Sequence, residues 1–450
     1  MNIEEVMPLL QEKKLAALRS NFEQMHPADI AALFSELIEQ RAVSDTSLIL
    51  IYRVIAKETA AEAFTYMDPS VQETLINSFS DRELSEVIDE LYIDDAVDMI
   101  EEMPANVVSR ILKNADSETR SQINNILKYP EDSAGSIMTT EFVYFRKGKT
   151  IAECFERIRS VGIMKETIYT CYVTDQRKLI GAVNLLEMIT AEPATLIEDI
   201  AESNIITVNT LDDKESVAKT LSKYDLHAIP VVDNEERIVG IVTFDDAIDV
   251  IEEENTEDFS KMAAVAPLDE SYFKTTVWHH ARSRLPWLLF LMLSATLTGF
   301  VISRYETAFE KLAILIAFMP MIMGTAGNSG SQSSTLIIRG MAVDEIHLRD
   351  FFKVLWKEFR VALICGAVLA VVNGLRIYYF EQAGLLVSLT VGLSIVGVVI
   401  LAKIVGSMLP MFAKKVHLDP AIMATPMIST ILDTCSLLLY FTLATAILHV

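Results

Sequence analysis

Cysteine is nearly missing from this chain. The four present, Cys154, Cys171, Cys365 and Cys435, are scattered two and two between a polar first part and an apolar second part. No pair has the spacing of a zinc site or of a disulfide framework, so soft-metal chemistry and a disulfide-stapled scaffold are both excluded. Basic residues are also few, 38 Lys and Arg against 62 Asp and Glu, which leaves a formal net charge of −24. That balance excludes nucleic acid as a partner, because phosphate binding needs a basic surface. No activated nucleophile, haem-ligation or nucleotide-hydrolysis motif is present, which argues against an enzyme. Met1-Asn2-Ile3-Glu4-Glu5 offers neither the basic region nor the apolar core of a signal peptide, so none is expected. Finally, acids become rare beyond about Ser271, where long apolar runs take over. In a chain of 450 residues that shift marks the main domain boundary.

What is present falls into blocks. Residues 1–130 carry apolar residues at helical spacing, as in Ile30, Leu33, Phe34, Leu37 and again Leu84, Val87, Ile88, Leu91. Short helices restart at turns such as His26-Pro27, Asp68-Pro69 and Met103-Pro104. The likeness among Ile30–Leu37, Leu84–Leu91 and Ala96–Met103 predicts weak repeats stacked as an all-α superhelix, with an irregular helical domain as the alternative. Over 131–255, apolar strand-like runs alternate with helices. Tyr172–Val183 and Ile229–Val242 each read as strand, charged turn, strand with an internal Gly, then helix. Two such units, at about 131–199 and 200–255, make an internal duplication of α/β type. Ala228-Ile229-Pro230-Val231-Val232-Asp233 with Val239-Gly240-Ile241-Val242-Thr243 resembles a cystathionine-β-synthase (CBS) domain pair. That resemblance implies a regulatory module that takes adenine nucleotides between its repeats.

Five spans are expected in 281–450, at about 286–303, 312–338, 354–380, 386–411 and 421–449. Several exceed the ~20 residues that a crossing needs, so tilt or breaks are expected. His279, His280, Arg282 and Arg284 precede the first span. Arg339, Arg349, Lys353, Lys357 and Arg360 lie between the second and third, and Lys414 and Lys415 between the fourth and fifth. The opposite loops carry only Arg304 and Lys311, then Arg376. The positive-inside rule therefore predicts a multi-pass protein of a cell (inner) membrane, with the N-terminal domains cytoplasmic and the C-terminus outside.

The second span ends in a run that an apolar helix should avoid: Phe318-Met319-Pro320-Met321-Ile322-Met323-Gly324-Thr325-Ala326-Gly327-Asn328-Ser329-Gly330-Ser331-Gln332. Pro320 frees a carbonyl. Gly324, Gly327 and Gly330 permit close helix approach or bare backbone at a cavity. Asn328 and Gln332 need protein partners or water. A tight helix seam accounts for the glycines. The proline and amides in the same run favour a pore lining made by Pro320, Gly324, Gly327, Asn328, Gly330 and Gln332. Asp433, deep in the fifth span, points the same way, because an intramembrane carboxylate normally faces water or a bundle interior. Oxygen donors without paired His or Cys indicate a hard cation such as Mg²⁺. Asp419-Pro420 opens the fifth span, either as a helix cap or as a metal position. In the soluble part, Asp245–Asp258 crowds carboxylates with no Lys or Arg among them. On a helix Asp246, Asp249 and Glu253 share one face, and Glu254, Glu257 and Asp258 another. A solvated face is the plain account. Relief of repulsion by bound Mg²⁺ or Ca²⁺ is the functional one, with Asp94, Asp95 and Asp98 of the helical domain supplying the opposing side.

The order of these parts resembles the MgtE family of magnesium channels across nearly the whole chain. The motifs that carry it are Pro320–Gly324 with Gly327–Gln332, then Asp419-Pro420 and Asp433. The resemblance implies a multidomain protein: a helical N domain (1–130), a CBS pair (131–255), a connecting plug helix (256–280) and a five-helix membrane domain (281–450). It implies a homodimer in membrane lipid with one central pore, in which Asp433 of both subunits binds hydrated Mg²⁺. Regulatory Mg²⁺ at Asp246, Asp249, Glu254, Glu257 and Asp258 would hold the plug shut, with Asp419 facing the plug at the cytoplasmic mouth. The family also binds ATP between its CBS repeats. Thr243 with Asp246 fits the usual hydroxyl-and-acid pattern, whereas the first repeat has Asn184 with Glu187 at that place. Two alternatives stay open. One is another divalent cargo such as Co²⁺ or Mn²⁺, which oxygen ligands separate poorly from Mg²⁺. The other is a carrier coupled to a gradient. An intramembrane enzyme using Asp419 and Asp433 is disfavoured, since fourteen residues of helix put them about 21 Å apart.

Overall fold

The computed structural model describes residues 3–40, 43–162, 165–268, 272, 275–305, 314–423 and 425–449. It divides into two compact units, 1–252 and 253–450.

The first unit begins with ten short helices among the described residues, from Ile3–Gln11 to Ser117–Ile126. Each start has a local cause. Ser80 and Glu83 form a capping box ahead of Asp81–Ile88. Asp116 accepts from the Glu118 and Thr119 amides at 2.7 and 2.8 Å ahead of Ser117–Ile126. Helices pack on the one two further along: Pro27–Glu39 on Lys57–Thr65, Asp45–Val54 on Pro69–Ser78, Asp81–Ile88 on Ala105–Asn114, Ile93–Glu101 on Ser117–Ile126. This skip-one stacking is the expected superhelix, and it buries a continuous core that includes Phe34, Tyr52, Phe64 and Phe79. The Tyr52 hydroxyl inside that core donates to the Ala60 carbonyl at 3.1 Å, so the ring is buried without an orphaned oxygen.

Two three-stranded sheets follow with the same topology. In the first, β1 (Phe142–Arg146) runs parallel to β2 (Thr167–Asp175), and β2 antiparallel to β3 (Lys178–Asn184). In the second, β4 (Val208–Asn209), β5 (Ala228–Val232) and β6 (Ile238–Thr243) repeat that order and those senses. The duplication read from the sequence is therefore real. The repeats meet through Phe142 and Tyr172 of the first with Ala228 and Ile241 of the second, and through a hydrogen bond of 3.1 Å from the Leu179 amide to the Glu236 carbonyl. After β6 the chain enters a 19-residue helix, Phe244–Met262. The connecting helix expected over 256–280 is thus displaced toward the N-terminus. It ends at Met262, and Thr276 starts a new helix by accepting from the His279 amide. Within the expected range, residues 269–271, 273 and 274 lie outside those described, as does Lys311 among the loop charges.

The second unit is built on long helices: Val277–Arg304, Ile314–Ala342, Phe351–Tyr379, Leu385–Lys415 and Thr425–Leu448. Four of these are long and apolar enough to cross a membrane. The exception among the five expected spans is Ile314–Ala342. Its 29 residues suffice in length, but Asn328, Ser329, Ser331 and Gln332 make it more polar than a lipid-facing span. It packs against Leu385–Lys415 and Thr425–Leu448. Glycine sets the distance of the first contact: a Cβ on Gly406 would run into the Gly330 backbone, its carbonyl oxygen first. Only two bare backbones approach this closely.

Replacing Gly406 by Ala should therefore force the two helices apart and cost about 1–3 kcal/mol of membrane-domain stability. The test is thermal unfolding of the full chain in detergent. Gly299→Ala is the control: a Cβ there meets nothing within 4 Å, so its melting temperature should hold or rise slightly.

Candidate cation site

The residues proposed to line a pore separate onto two faces of Ile314–Ala342. Pro320, Gly324, Asn328 and Gln332 recur every fourth residue and are exposed, together with Thr335. Gly327 and Gly330, which the sequence grouped with them, are buried instead. A Cβ on Gly327 would meet Ser429 at 3.3 Å, and one on Gly330 would strike Leu432 and Ile428. The glycine seam is thus realised on one side of the helix, and the proline–amide stripe is exposed on the other. Asp433 lies one turn beyond Ser429 on Thr425–Leu448, half-buried, and its carboxylate has no hydrogen bond or ion pair among the described residues. A neighbour, Thr434, is tied to Thr298 of Val277–Arg304 by a 2.8 Å hydroxyl–hydroxyl bond, which fixes that turn of the helix.

Asp419 acts as a local cap, accepting from the Ala421 amide at 2.8 Å, and it also pairs with Lys261 at 2.8 Å. Lys261 reaches Glu257 at 2.8 Å too, one turn back on Phe244–Met262. Burial alone would lower the Lys261 ammonium, but the hydrogen bonds to Asp419 and Glu257 hold it above its usual range. The C-terminal end of the acidic helix is therefore latched to the residue that opens the fifth span. The acidic run had been read as free of cations. Lys261 sits just past its end, four residues after Glu257, and that spacing was the available signal.

The first unit gathers a second group of acids. Asp94 and Asp95 open the helix Ile93–Glu101, whose Ile93 amide donates to Glu141 at 3.2 Å. Asp94 is 6 % exposed, and its Oδ1 has no hydrogen-bond partner among the described residues. The same is true of Oε2 of Glu166. Asp246 accepts from the Thr243 hydroxyl and, at 3.4 Å, from the Thr243 amide. Burial raises all of these acids, and they raise one another. Asp95 is pushed up to about 7 by burial and then by Asp246, Asp245 and Glu141. Glu166 is pushed to about 8 by burial, then by Asp246, Asp245 and Asp95. Asp94 stands well above the carboxylate range for the same reasons. Asp249 joins the group at longer range, since Tyr66 is raised by burial and then by Glu62, Asp95, Asp245 and Asp249. Asp98 is on the exposed side of its helix, and Glu253, Glu254 and Asp258 lie further along Phe244–Met262. Sequence reading missed Glu141 and Glu166 as members, since nothing local marks a lone Glu on a CBS repeat. Glu187 has a different task. Its carboxylate accepts from the Asn184 amide at 3.2 Å and caps Leu185–Thr190.

Among the described residues no three His, Cys, Asp or Glu groups stand close enough to hold a metal ion as a closed cage. Mg²⁺ does not need one, because it keeps most of its water and takes one or two carboxylates. The orphaned oxygens of Asp94 and Glu166, within a set of oxygen donors only, fit such an ion.

The chain is 35% identical to the magnesium transporter MgtE of Thermus thermophilus, over 98% of this chain and 97% of that protein. The chain belongs to the MgtE family. It is also 30% identical to the magnesium transporter MgtE of Bacillus subtilis, over 99% and 97% of the two chains. The MgtE intracellular N domain model matches residues 25–132, a CBS domain model 197–253, and a model described as a divalent cation transporter 319–443. Among solved structures, the cytosolic domain of the Mg²⁺ channel MgtE in complex with ATP is similar at TM-score 0.50 and 34% identity, covering 54% of this chain and 97% of that one. The soluble part of a magnesium transporter gives TM-score 0.51 at 28% identity, covering 56% and 97%. MgtE proteins are multi-pass membrane transporters rather than a class of enzyme, and this chain has that architecture.

Raised acids bind more protons in the folded state than in the unfolded one, so the stability they confer is lost as pH rises through their folded values. Here that window runs from ordinary carboxylate values up to about 8. Between pH 5 and 8 the segment Ile93–Glu101 should become less protected in amide exchange of the full chain, after correction for intrinsic exchange rates. Glu166→Gln should flatten that dependence, and Mg²⁺ added at pH 8 should restore the protection.

Proposed function

We propose that this protein is a Mg²⁺ channel closed by Mg²⁺ bound to its acidic cytosolic half. The observation that carries the pore is the exposed stripe Pro320, Gly324, Asn328, Gln332 on a helix that packs among membrane spans. Amides at that depth require water or a second polypeptide. A homodimer with its pore on the dyad supplies both, and sets two copies of Asp433 around the path. Hydrated Mg²⁺ passes because a few oxygens hold its first-shell waters without stripping them. The magnesium transporters to which the chain is 30–35% identical support Mg²⁺ as the cargo.

Closure follows from charge. At low cytosolic Mg²⁺ the acids around Asp94, Asp95, Asp246 and Asp249, and those at Glu253, Glu254, Glu257 and Asp258, repel one another. Bound ions remove that repulsion. The acidic helix then stays seated, with its Lys261 end on Asp419. Ions can close the channel only by binding the closed state more tightly. The excess of Lys and Arg on one set of connecting loops supports a topology with the cytosolic domains and the C-terminus on opposite sides of the membrane. ATP between the CBS repeats would draw on Thr243 and Asp246, whereas Glu187, committed to its cap, does not fit that role. Co²⁺ or Mn²⁺ as cargo is the second reading, since oxygen ligands discriminate these ions weakly.

The test is divalent-cation flux into liposomes carrying the full chain. Asp433→Ala should abolish Mg²⁺ flux. Mg²⁺ on the cytosolic-domain side should shut the wild type. Alanine at 246, 249, 254 and 257 together should leave flux running at high Mg²⁺. Flux that ignores Asp433 removes the pore assignment, and inhibition that survives the four alanines removes the sensor. Faster Mn²⁺ or Co²⁺ flux than Mg²⁺ flux would favour the second reading.

A further inference from the structure

Three polar side chains from three membrane helices meet in the interior of the second unit. Ser333 of Ile314–Ala342 is fully buried, and its hydroxyl donates to Oε2 of Glu358, on Phe351–Tyr379, at 2.6 Å. The Lys403 ammonium, mid-helix in Leu385–Lys415, donates to the same Ser333 hydroxyl at 3.2 Å. It stands 3.9 Å from that same Glu358 oxygen. The lysine and glutamate side chains are 6 % and 12 % exposed. Ser333 thus serves as donor to the acid and acceptor from the base, and links a pair slightly too long for a direct hydrogen bond.

The placement is built in. Gly330 and Gly406 form the close backbone crossing, and each lies three residues from the triad, Gly330 before Ser333 and Gly406 after Lys403. That crossing faces the serine toward the lysine. Ser333 directly follows Gln332 of the exposed stripe but occupies the opposite, buried side. A fixed ammonium inside a domain that conducts a divalent cation would oppose conduction, since like charges interact strongly where water is excluded. Its placement against Glu358 cancels that field at short range.

We propose that Ser333, Glu358 and Lys403 form a self-neutralised triad that positions the pore-lining helix and hides the Lys403 charge from the permeating cation. The proposal rests on the cation-transport reading above. None of the three residues is needed as an ion ligand. They are positioning residues, and what matters is that their net charge is zero.

The experiment compares Glu358→Gln, Lys403→Met and the double variant in liposomes, reading Mg²⁺ flux against Mg²⁺ concentration and thermal stability in detergent for each protein. Glu358→Gln leaves an unpaired buried cation, and maximal flux should fall at least about tenfold. Lys403→Met leaves an unpaired carboxylate, a new cation trap. Its flux should half-saturate at lower Mg²⁺ and turn over more slowly. The double variant removes both charges and should recover to within about threefold of wild type, as expected when a buried pair is replaced whole. A double variant as impaired as the worse single variant, or single variants that lose stability with unchanged flux per folded protein, would overturn the proposal. Wild-type protein that passes no Mg²⁺ would instead refute the transport reading on which it rests.

Discussion

In a membrane interior every polar group has to meet a partner, and the second unit is arranged by that requirement. The helix Ile314–Ala342 carries more polar side chains than a lipid-facing span accepts, so it is held between neighbours. Its glycine face lets Leu385–Lys415 approach to backbone distance at Gly406. Its Ser333 is satisfied by Glu358 and Lys403. Tyr440 likewise satisfies the Leu315 carbonyl near the start of that helix at 3.0 Å. Ser331 of the same helix keeps a buried hydroxyl with no hydrogen-bond partner among the described residues, and the stripe Pro320, Gly324, Asn328, Gln332 is exposed, so water or a second chain has to meet it.

The soluble unit follows the inverse rule. Its acids are gathered, and burial rather than partnering sets their behaviour. Glu141 caps a helix and Asp246 bonds Thr243, yet Asp94 and Glu166 keep orphaned oxygens. An orphaned buried acid normally costs stability. A group of them is tolerable when an ion or a proton occupies the site for part of the time, which is the behaviour a sensor requires.

How far the residues alone could be read depended on whether the signal was local. Helical repeats, duplicated CBS units and apolar spans are periodic, and the structure contains the repeats, the duplication and four of the five expected spans as long apolar helices. Asp433 stood out because one acid in an apolar run is a local contrast. Gly327 and Gly330 were grouped with the pore because spacing in sequence does not say which way a face turns. The triad escaped because Lys403 and Glu358 lie 45 residues apart on different helices. Lys403 lies inside Leu385–Lys415, so neither partner marks the other in sequence. The connecting helix was bounded at 256–280, whereas the helix that leaves β6 is Phe244–Met262, since a charge run marks a surface and not an end.

Taken together, the two units use the same carboxylate chemistry under opposite accounting of charge. In the second unit Glu358 is matched by a tethered cation, whereas the Asp433 carboxylate has none among the described residues. In the soluble unit Asp94 and Glu166 each keep a buried oxygen with no hydrogen-bond partner among the described residues, and burial raises both. The Lys261 link to Glu257 and Asp419 is the intermediate case, a tethered cation holding two acids together. It is exposed enough for water to compete, and so it can be made and broken. A link of that strength suits a gate, whereas one buried as deeply as Lys403 would lock it.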